Sequence, residues 1–197
     1  MVQNTSQESQ LTKEQGQLLV LLAKQTISEQ LGKPFRNRDK LDQSLSEKPF
    51  DMHRGTFVTL NKNGQLRGCI GSLTAEEPVA DSVRRNAVNA AFHDPRFPPV
   101  SLEELEQIQV EVSVLSEPQP LEYKDAQDLL AKLRVNVDGV ILGKGYNRAT
   151  FLPQVWEQLP DPKDFLTHLC RKAGLPGNAW ETTQLDISIY QVDYFEE

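Results

Sequence analysis

The sequence predicts an α+β fold, with a mixed but largely antiparallel curved sheet and flanking helices. Strand-like and helical segments are interspersed along the chain, which favours this class over a doubly wound parallel sheet. An Asn63-Gly64 turn joins at least one pair of strands in the antiparallel direction. The 197 residues are 38% hydrophobic and 25% charged, the balance of a globular chain long enough to bury a core.

Composition and charge exclude several classes of protein. The formal net charge of −7 argues against coating nucleic acid or an anionic membrane as a main task. Two cysteines, Cys69 and Cys170, are too few for a disulfide framework or a four-cysteine zinc site. The longest apolar run covers residues 18–23, whereas a membrane-spanning helix needs about 20 residues. We expect a cytoplasmic protein with reduced thiols, a flexible tail at residues 1–10 and a single domain at residues 11–197.

The first helix is predicted to begin at Thr12. Thr12 and Gln15 fit a capping box, and Gly32 followed by Pro34 predicts the end of the helix. Residues 33–54 are polar and mixed, and they predict a loop with at most one short turn. Irregular stretches of this length are often functional or mobile.

A β-hairpin is predicted at residues 55–71, where Asn63-Gly64 is the preferred type I′ turn. This turn sets three opposed pairs: Lys62 with Gln65, Leu60 with Arg67, and Val58 with Cys69. Because opposed residues share a face, Arg67 and Cys69 are expected on one side of the hairpin. A bulge in this glycine-rich strand would break that register.

A helix, a stiff loop and a strand are predicted after the hairpin. The helix begins near Pro78, which suits a first turn, and its apolar stripe contains small alanines. Three prolines in residues 94–99 prevent its continuation. Ser101 and Glu104 predict the cap of a short helix, and alternating apolar residues at 108–114 predict a half-buried strand.

The rest of the chain has a similar mixture of elements. Residues 125–133 predict an amphipathic helix, and residues 135–152 predict strands. Further predicted elements are a short helix at 153–159, a helix between Asp161-Pro162 and Gly174, and a strand at 185–189. Four aromatic residues are predicted to form core or a docking face: Phe151, Trp156, Phe165 and Trp180. The element order hints at two related, interlocked halves with no linker between them.

Cys69 is the leading candidate for chemistry. Gly68 and Gly71 flank it as candidate ligand-binding residues, because glycines in a strand let a ligand or another backbone come close. Arg67 is predicted on the same face, about 7 Å along the strand, as an electrostatic partner for the thiol. The alternative is a small core cysteine beside a surface arginine.

A thiol nucleophile usually needs a base, and the sequence offers histidines for that role. His93 lies at the end of a predicted helix beside the stiff loop, and His53 lies just before the hairpin. The alternative for each is a surface histidine. His168 and Cys170 are two residues apart on a predicted helix, so they do not share a face.

The loop at residues 94–99 is the candidate binding element. Arg96 and Phe97 on a stiff loop suit an anionic or planar ligand, and the alternative is that they only pin the loop to the body. Asp94 in the loop and Asn86 on the preceding helix are further candidate ligand-binding residues. The chain has no histidine or cysteine spacing typical of a metal site, and we predict neither a metal nor a cofactor.

Short motifs are spread over residues 15–195. They are LRGCIG at 66–71, RNA at 85–87, AAF at 90–92, DPRFPP at 94–99, EVSVL at 111–115, DGVIL at 138–142, ATFLPQVW at 149–156, FL at 165–166, LCRKAGL at 169–175, and Trp180. Together they resemble the AMMECR domain family, named after the human AMME-syndrome candidate gene. The short form without extensions is similar to the prokaryotic members, called AmmeMemoRadiSam system protein A.

The resemblance implies an α+β fold with two unequal subdomains and a cleft between them. It brings no established biochemical activity, and its best site candidate is the segment at residues 67–71. The system name implies a Memo-like protein and a radical S-adenosylmethionine protein as partners. A role in nucleic-acid metabolism is a further implication, which the acidity of this chain does not strengthen.

Two classes of function stay open. In a cysteine-dependent enzyme, Cys69 would be the nucleophile or a ligand, with Arg67 as electrostatic partner and His93 or His53 as base, while Arg96 and Asn86 position the substrate. In a non-catalytic binding module or accessory subunit, Cys69 would be present for its small size. The two arginines would then hold a peptide, a nucleotide or another partner.

Overall fold

The computed structural model describes residues 11–33, 38–46 and 48–197, so the predicted tail at residues 1–10 lies outside the described residues. The helices are α1 (Lys13–Gln30), α2 (Arg38–Leu45), α3 (Val79–Phe92), α4 (Ala126–Lys132), α5 (Pro162–Lys172) and α6 (Ala179–Thr182). The strands are β1 (Thr56–Lys62), β2 (Gln65–Ser72), β3 (Ile108–Leu115), β4 (Gln119–Pro120), β5 (Gly139–Lys144), β6 (Asn147–Phe151), β7 (Asp186–Tyr190) and β8 (Val192–Glu196). Helices and antiparallel strand pairs occur together, which confirms the predicted α+β class.

Contacts divide the chain into two compact units. The first unit runs to Leu115 and includes Asp193–Glu197, and the second unit is Ser116–Val192. The first contains a four-stranded sheet in the order β2-β1-β3-β8, and the second a four-stranded sheet in the order β4-β7-β5-β6. Among the described residues, no helix is both long enough and apolar enough to cross a membrane.

The helices α1 and α3 pack on one face of the sheet in the first unit. The capping box at the start of α1 is confirmed, because Gln15 N donates to Thr12 Oγ1 at 3.2 Å and Thr12 N donates to Gln15 Oε1 at 2.9 Å. On β1, Val58 and Leu60 are fully buried on the helix-facing side, where Thr56 Oγ1 lies 2.8 Å from Ser82 Oγ of α3. Alternation along the strand therefore turns Thr59 to the opposite face.

The prediction of a loop at residues 33–54 is wrong over part of its length. The structure has α2 there, followed by a 3-10 helix at Lys48–Phe50. Leu41 and Leu45, four residues apart on one face of α2, are buried in the core of the first unit. The apolar periodicity of α2 is weak, because charged residues form its other faces, and the sequence analysis therefore did not predict this helix. Burial against the core stabilises it.

The hairpin of β1 and β2 has the predicted turn but not the predicted register. Asn63 and Gly64 have φ values of 54° and 74°, as a type I′ turn requires. A β-bulge leaves Arg67 without a direct partner, and the pairs that follow are Leu60 with Gly68, Thr59 with Cys69 and Val58 with Ile70. The predicted pairing of Leu60 with Arg67 and of Val58 with Cys69 is wrong, because one extra residue shifts every later pair by one position.

The second unit packs α4 and α5 on its sheet around an aromatic core. The Trp156 ring stacks on Phe165 with centroids 3.7 Å apart, and Phe151 meets Phe165 edge-on at 5.2 Å. Asp161 caps α5 as predicted, by accepting a hydrogen bond from Lys163 N at 2.8 Å. The sequence did not predict β8, because its partner in the sheet, β3, is distant along the chain.

Candidate functional site

Cys69 is half-buried on the face of the first sheet that is opposite the helices. It pairs with Thr59 across β1, and the Thr59 hydroxyl donates a hydrogen bond to the Cys69 sulfur at 3.3 Å. The thiol is therefore neither a core side chain nor fully exposed. It lies on a partly covered sheet face with a hydroxyl donor beside it.

The backbone of Cys69 is held by the stiff loop after α3. Cys69 N donates to Asp94 Oδ2 at 2.9 Å, and Arg96 Nη2 donates to Cys69 O at 3.1 Å. Asp94 also accepts from Arg96 through Nε at 2.9 Å and Nη2 at 2.7 Å, so the two side chains form one clamp. We call Asp94 and Arg96 together the edge clamp, because β2 is the edge strand of the sheet.

The electrostatics of the edge clamp keep Asp94 ionised. Asp94 is only 4% exposed, and burial alone would favour its neutral form. Hydrogen bonds from Arg96 above all, and from Cys69 N, hold the pKa of the Asp94 carboxyl well below its usual range. Asp94 raises the pKa of Arg96 in turn, and the nearby Cys69 adds to that effect. The clamp is a charged pair in which each partner stabilises the other.

Arg67, the bulge residue, forms a second cluster with Glu104 and Lys62. Arg67 donates to Glu104 through Nε at 3.2 Å and Nη2 at 3.0 Å, and Lys62 Nζ donates to Glu104 Oε1 at 2.9 Å. Glu104 Oε2 also accepts from Ser101 N at 3.2 Å, whereas the 3-10 helix at Leu105–Gln107 has no side-chain cap. Hydrogen bonds from Arg67, and then from Lys62, lower the pKa of Glu104 to about 2.

The Phe97 ring joins the two clusters. Its centroid is 5.9 Å from the Arg67 guanidinium carbon and 5.5 Å from that of Arg96, within the range of cation–π attraction. The structure therefore brings together five of the predicted site residues: Arg67, Cys69, Asp94, Arg96 and Phe97. Their proposed roles toward a ligand stay predictions.

The glycines beside Cys69 face neighbours within the protein. A Cβ at Gly68 would lie 2.2 Å from the carbonyl oxygen of Ala90 in α3. A Cβ at Gly71 would lie 2.3 Å from the Phe57 ring and 2.4 Å from Thr56 O. Both glycines thus permit the approach of other parts of the chain, which was one of the two alternatives that the sequence left open.

Glu111 is a functional candidate that the sequence analysis missed. It pairs with Thr59 across β3, so Cys69, Thr59 and Glu111 form a row across three strands. Burial raises the pKa of Glu111, against which a hydrogen bond from the Ser113 hydroxyl acts. The alternation of β3 was visible in the sequence, but its alignment beside β1 was not.

The predicted histidine base and Asn86 make their hydrogen bonds to residues outside the Cys69 cluster. His93 is exposed, and its Nδ1 lies 3.1 Å from Asn89 Oδ1, one turn back on α3. His53 Nδ1 lies 3.2 Å from Ala75 O. Asn86 is fully buried, and its amide donates to Thr56 Oγ1 at 2.9 Å on the helix side of the sheet. The structure therefore does not bring Asn86 together with Cys69, and the role of His93 as a base stays a prediction.

In the part of the chain that the structure describes, the other cysteine and the acidic side chains form no metal-binding cluster. Cys170 is fully buried, and burial raises the pKa of its thiol. Within the described ranges, no group of three or more histidine, cysteine, aspartate or glutamate residues could hold a metal ion. A cavity of about 450 Å³ between α2 and α3 contains Asp42 and Arg84, which pair with each other at 2.9 Å, and none of the Cys69 cluster.

Comparisons with known proteins match nearly the whole chain. The AMMECR1 family model matches residues 20–195. A protein of Methanothermobacter thermautotrophicus is 41% identical over 190 residues, which are 95% of this chain and 96% of that protein. A protein of Methanocaldococcus jannaschii is 37% identical over 190 residues, 95% of this chain and 92% of that protein. The crystal structure of an uncharacterized protein from Pyrococcus horikoshii superposes with a TM-score of 0.78 at 35% identity, covering 95% of this chain and 93% of that one.

Proposed function

The chain belongs to the AMMECR1 family, and from that premise we propose that it is a cysteine-dependent enzyme whose nucleophile is Cys69. The observation that carries the proposal is the hydrogen bond from the Thr59 hydroxyl to the Cys69 sulfur. A donor aimed at sulfur stabilises the thiolate, which is the nucleophilic form. The edge clamp supports the proposal, because it fixes the backbone on both sides of the thiol and so positions the sulfur.

The reaction class that suits this site is addition of the thiolate to an electrophilic carbon. An S–C bond forms while the electron pair of the carbon's π bond moves to its oxygen or nitrogen, and the thiol proton passes to solvent. Glu111 is suited to protonate that heteroatom, because burial raises its pKa and keeps more of it protonated. Thr59 lies between Cys69 and Glu111 in the row, with about 4.8 Å between neighbouring strands. A small substrate lying across Thr59 would reach both groups.

The proposal is tested by alkylating the thiols with iodoacetamide across a range of pH. Cys69 is expected to react in the folded protein, and buried Cys170 serves as an internal control that stays unlabelled. Thr59→Val removes the donor and should slow the labelling of Cys69 several-fold at neutral pH, whereas Thr59→Ser keeps the hydroxyl and the rate. Labelling of Cys69 like an ordinary free thiol, with no difference between the two variants, would sink the proposal.

A second candidate is an accessory or binding function, favoured by one observation. Among the described residues, no histidine or carboxylate is hydrogen-bonded to the Cys69 sulfur, so a partner could supply the missing base. The family resemblance suggests a Memo-like protein and a radical S-adenosylmethionine protein for that role, in a reducing cytoplasm. Full function of Cys69→Ala, together with loss in Arg96→Ala, would favour binding over catalysis. Loss in both variants would favour the enzyme.

A further inference from the structure

Arg67 has a hydrogen-bonding group that the protein does not use. Arg67 is 8% exposed, and its Nη1 is buried without a hydrogen-bond partner. Three buried side-chain polar atoms among the described residues have no hydrogen-bond partner. Of these three, Arg67 Nη1 is the one that belongs to a charged group. Buried charged donors are ordinarily paired, because leaving them unpaired costs free energy.

Glu104 cannot supply the missing acceptor. Its two oxygens already accept four hydrogen bonds, two from Arg67, one from Lys62 and one from Ser101 N. The same carboxylate neutralises both Arg67 and Lys62, so two cations share one anion. Asp94 is committed as well, since its oxygens accept from Arg96 and from Cys69 N. One negatively charged acceptor is therefore missing beside Arg67.

Contacts through Phe97 and Arg96 link Arg67 to the backbone of Cys69. The Phe97 ring contacts the guanidinium groups of both Arg67 and Arg96, and Arg96 is bonded to the backbone of Cys69. Phe97 belongs to the loop after α3 and is itself only half-buried, so part of the surface beside the Arg67 guanidinium reaches solvent. A planar guanidinium with a free edge is the group that proteins use to bind carboxylates and phosphates.

We propose that the site takes a small substrate with an oxyanion group, a carboxylate or a phosphate, which binds Arg67 Nη1. The identification of the bound molecule as a substrate rests on the proposed function of Cys69, whereas the binding itself does not. The oxyanion would accept a hydrogen bond from Arg67 Nη1. Its negative charge would balance the positive charge of Arg67 and Lys62 that Glu104 alone does not neutralise.

The test measures binding of inorganic phosphate and of acetate to the full chain by titration, following the side-chain signals of arginine by NMR. Measurements are made on the unmodified protein and on Cys69→Ala, which leaves the anion site intact. At least one of the two anions is expected to shift the Arg67 signals in both proteins, and the stronger of the two identifies the oxyanion. Arg67→Lys keeps the charge but loses the planar fork, and it should weaken binding at least tenfold.

Two further variants make the result specific. Arg85→Lys is the matched control, because Arg85 also pairs with a carboxylate, Glu77 at 2.6 Å, but is exposed outside the cluster. Phe97→Ala leaves the hydrogen bonds of Arg67 to Glu104 in place and removes only the neighbouring ring, so the variant should still bind the anion. Equal losses in Arg67→Lys and Arg85→Lys, no binding of either anion, or loss of binding in Phe97→Ala would each overturn the inference. Anion binding without thiol reactivity would instead overturn only the proposed function.

Discussion

At Gly68 the absence of a side chain lets α3 lie directly against β2. The carbonyl oxygen of Ala90 occupies the space that a Cβ would need, at 2.2 Å. The neighbouring residue, Cys69, keeps its own side chain because it points to the other face. A single glycine thus determines how closely the helix approaches the strand that contains the thiol.

We predict that Gly68→Ala destabilises the protein by about 1–3 kcal/mol, because backbone of α3 has to move away from the new methyl group. Gly143→Ala is the control, since a Cβ there would meet its nearest neighbours at 3.9 Å. The free energy of unfolding of each variant is measured in urea. Equal stability of the two variants would contradict the close approach of α3 at Gly68.

Only some features of Arg67 could be predicted from the sequence. Its place beside Cys69 in the motif was visible, and so was its charge. Its position as the extra residue of a bulge was not, because a bulge is defined only by the partner strand. Its partner Glu104 is 37 positions away, in a segment where the sequence indicated only a helix cap.

At the scale of elements, the edge clamp explains why the loop at residues 94–99 needs both a carboxylate and a guanidinium group. An edge strand exposes N–H and C=O groups that have no neighbouring strand. Asp94 accepts from Cys69 N and Arg96 donates to Cys69 O, so the clamp takes the place of a further strand at that one residue. The prolines of the loop restrict its backbone and help to hold the clamp in position.

Asp94→Ala should therefore loosen β2 at the thiol. The variant leaves Cys69 N–H without its acceptor and Arg96 without its carboxylate, and we expect a loss of roughly 2–4 kcal/mol in the free energy of unfolding. Hydrogen exchange of the Cys69 amide should become faster. Asp81→Ala, at an exposed aspartate in the first turn of α3, is the control. Unchanged exchange at Cys69 would show that the clamp does not hold the strand.

At the scale of the whole molecule, the carboxyl groups with shifted pKa values make stability depend on pH. Glu104 has its pKa lowered from 4.5 to about 2, and Asp94 is shifted in the same direction. A carboxyl with a lowered folded-state pKa contributes stability above its unfolded pKa and loses it as pH falls. The pKa of Glu111 is raised, so its contribution has the opposite sign and opposes folding at neutral pH. The net expectation is acid-sensitive stability, because the pKa values of Asp94 and Glu104 are shifted strongly downward, whereas burial raises the pKa values of Glu111 and Asp193 by less.

Glu104→Gln tests this dependence. The Glu104 side chain is 21% exposed, and after allowance for that exposure we expect the variant to lose roughly 1–3 kcal/mol at pH 7. The difference from the unmodified protein should shrink as pH falls from about 4.5 toward 2, because both proteins are then uncharged at this position. Glu106→Gln removes a carboxylate whose side chain is 76% exposed and should leave stability unchanged. A Glu104→Gln difference that is constant with pH would contradict the assigned cause.

The sequence by itself determined the α+β class, the capping box of α1, the Asn63-Gly64 turn and the stretch that contains Cys69. Each of these depends on residues close together in the chain, whose conformational preferences act before any tertiary contact forms. Only the tertiary structure decided the register beyond the bulge, the edge clamp on Cys69 and the row that includes Glu111. Asp94 reaches Cys69 across 25 positions of sequence, and Glu111 aligns with Thr59 only because β3 packs beside β1. The partners of the thiol are set by strand register, and strand register is settled only when the whole sheet packs against its helices.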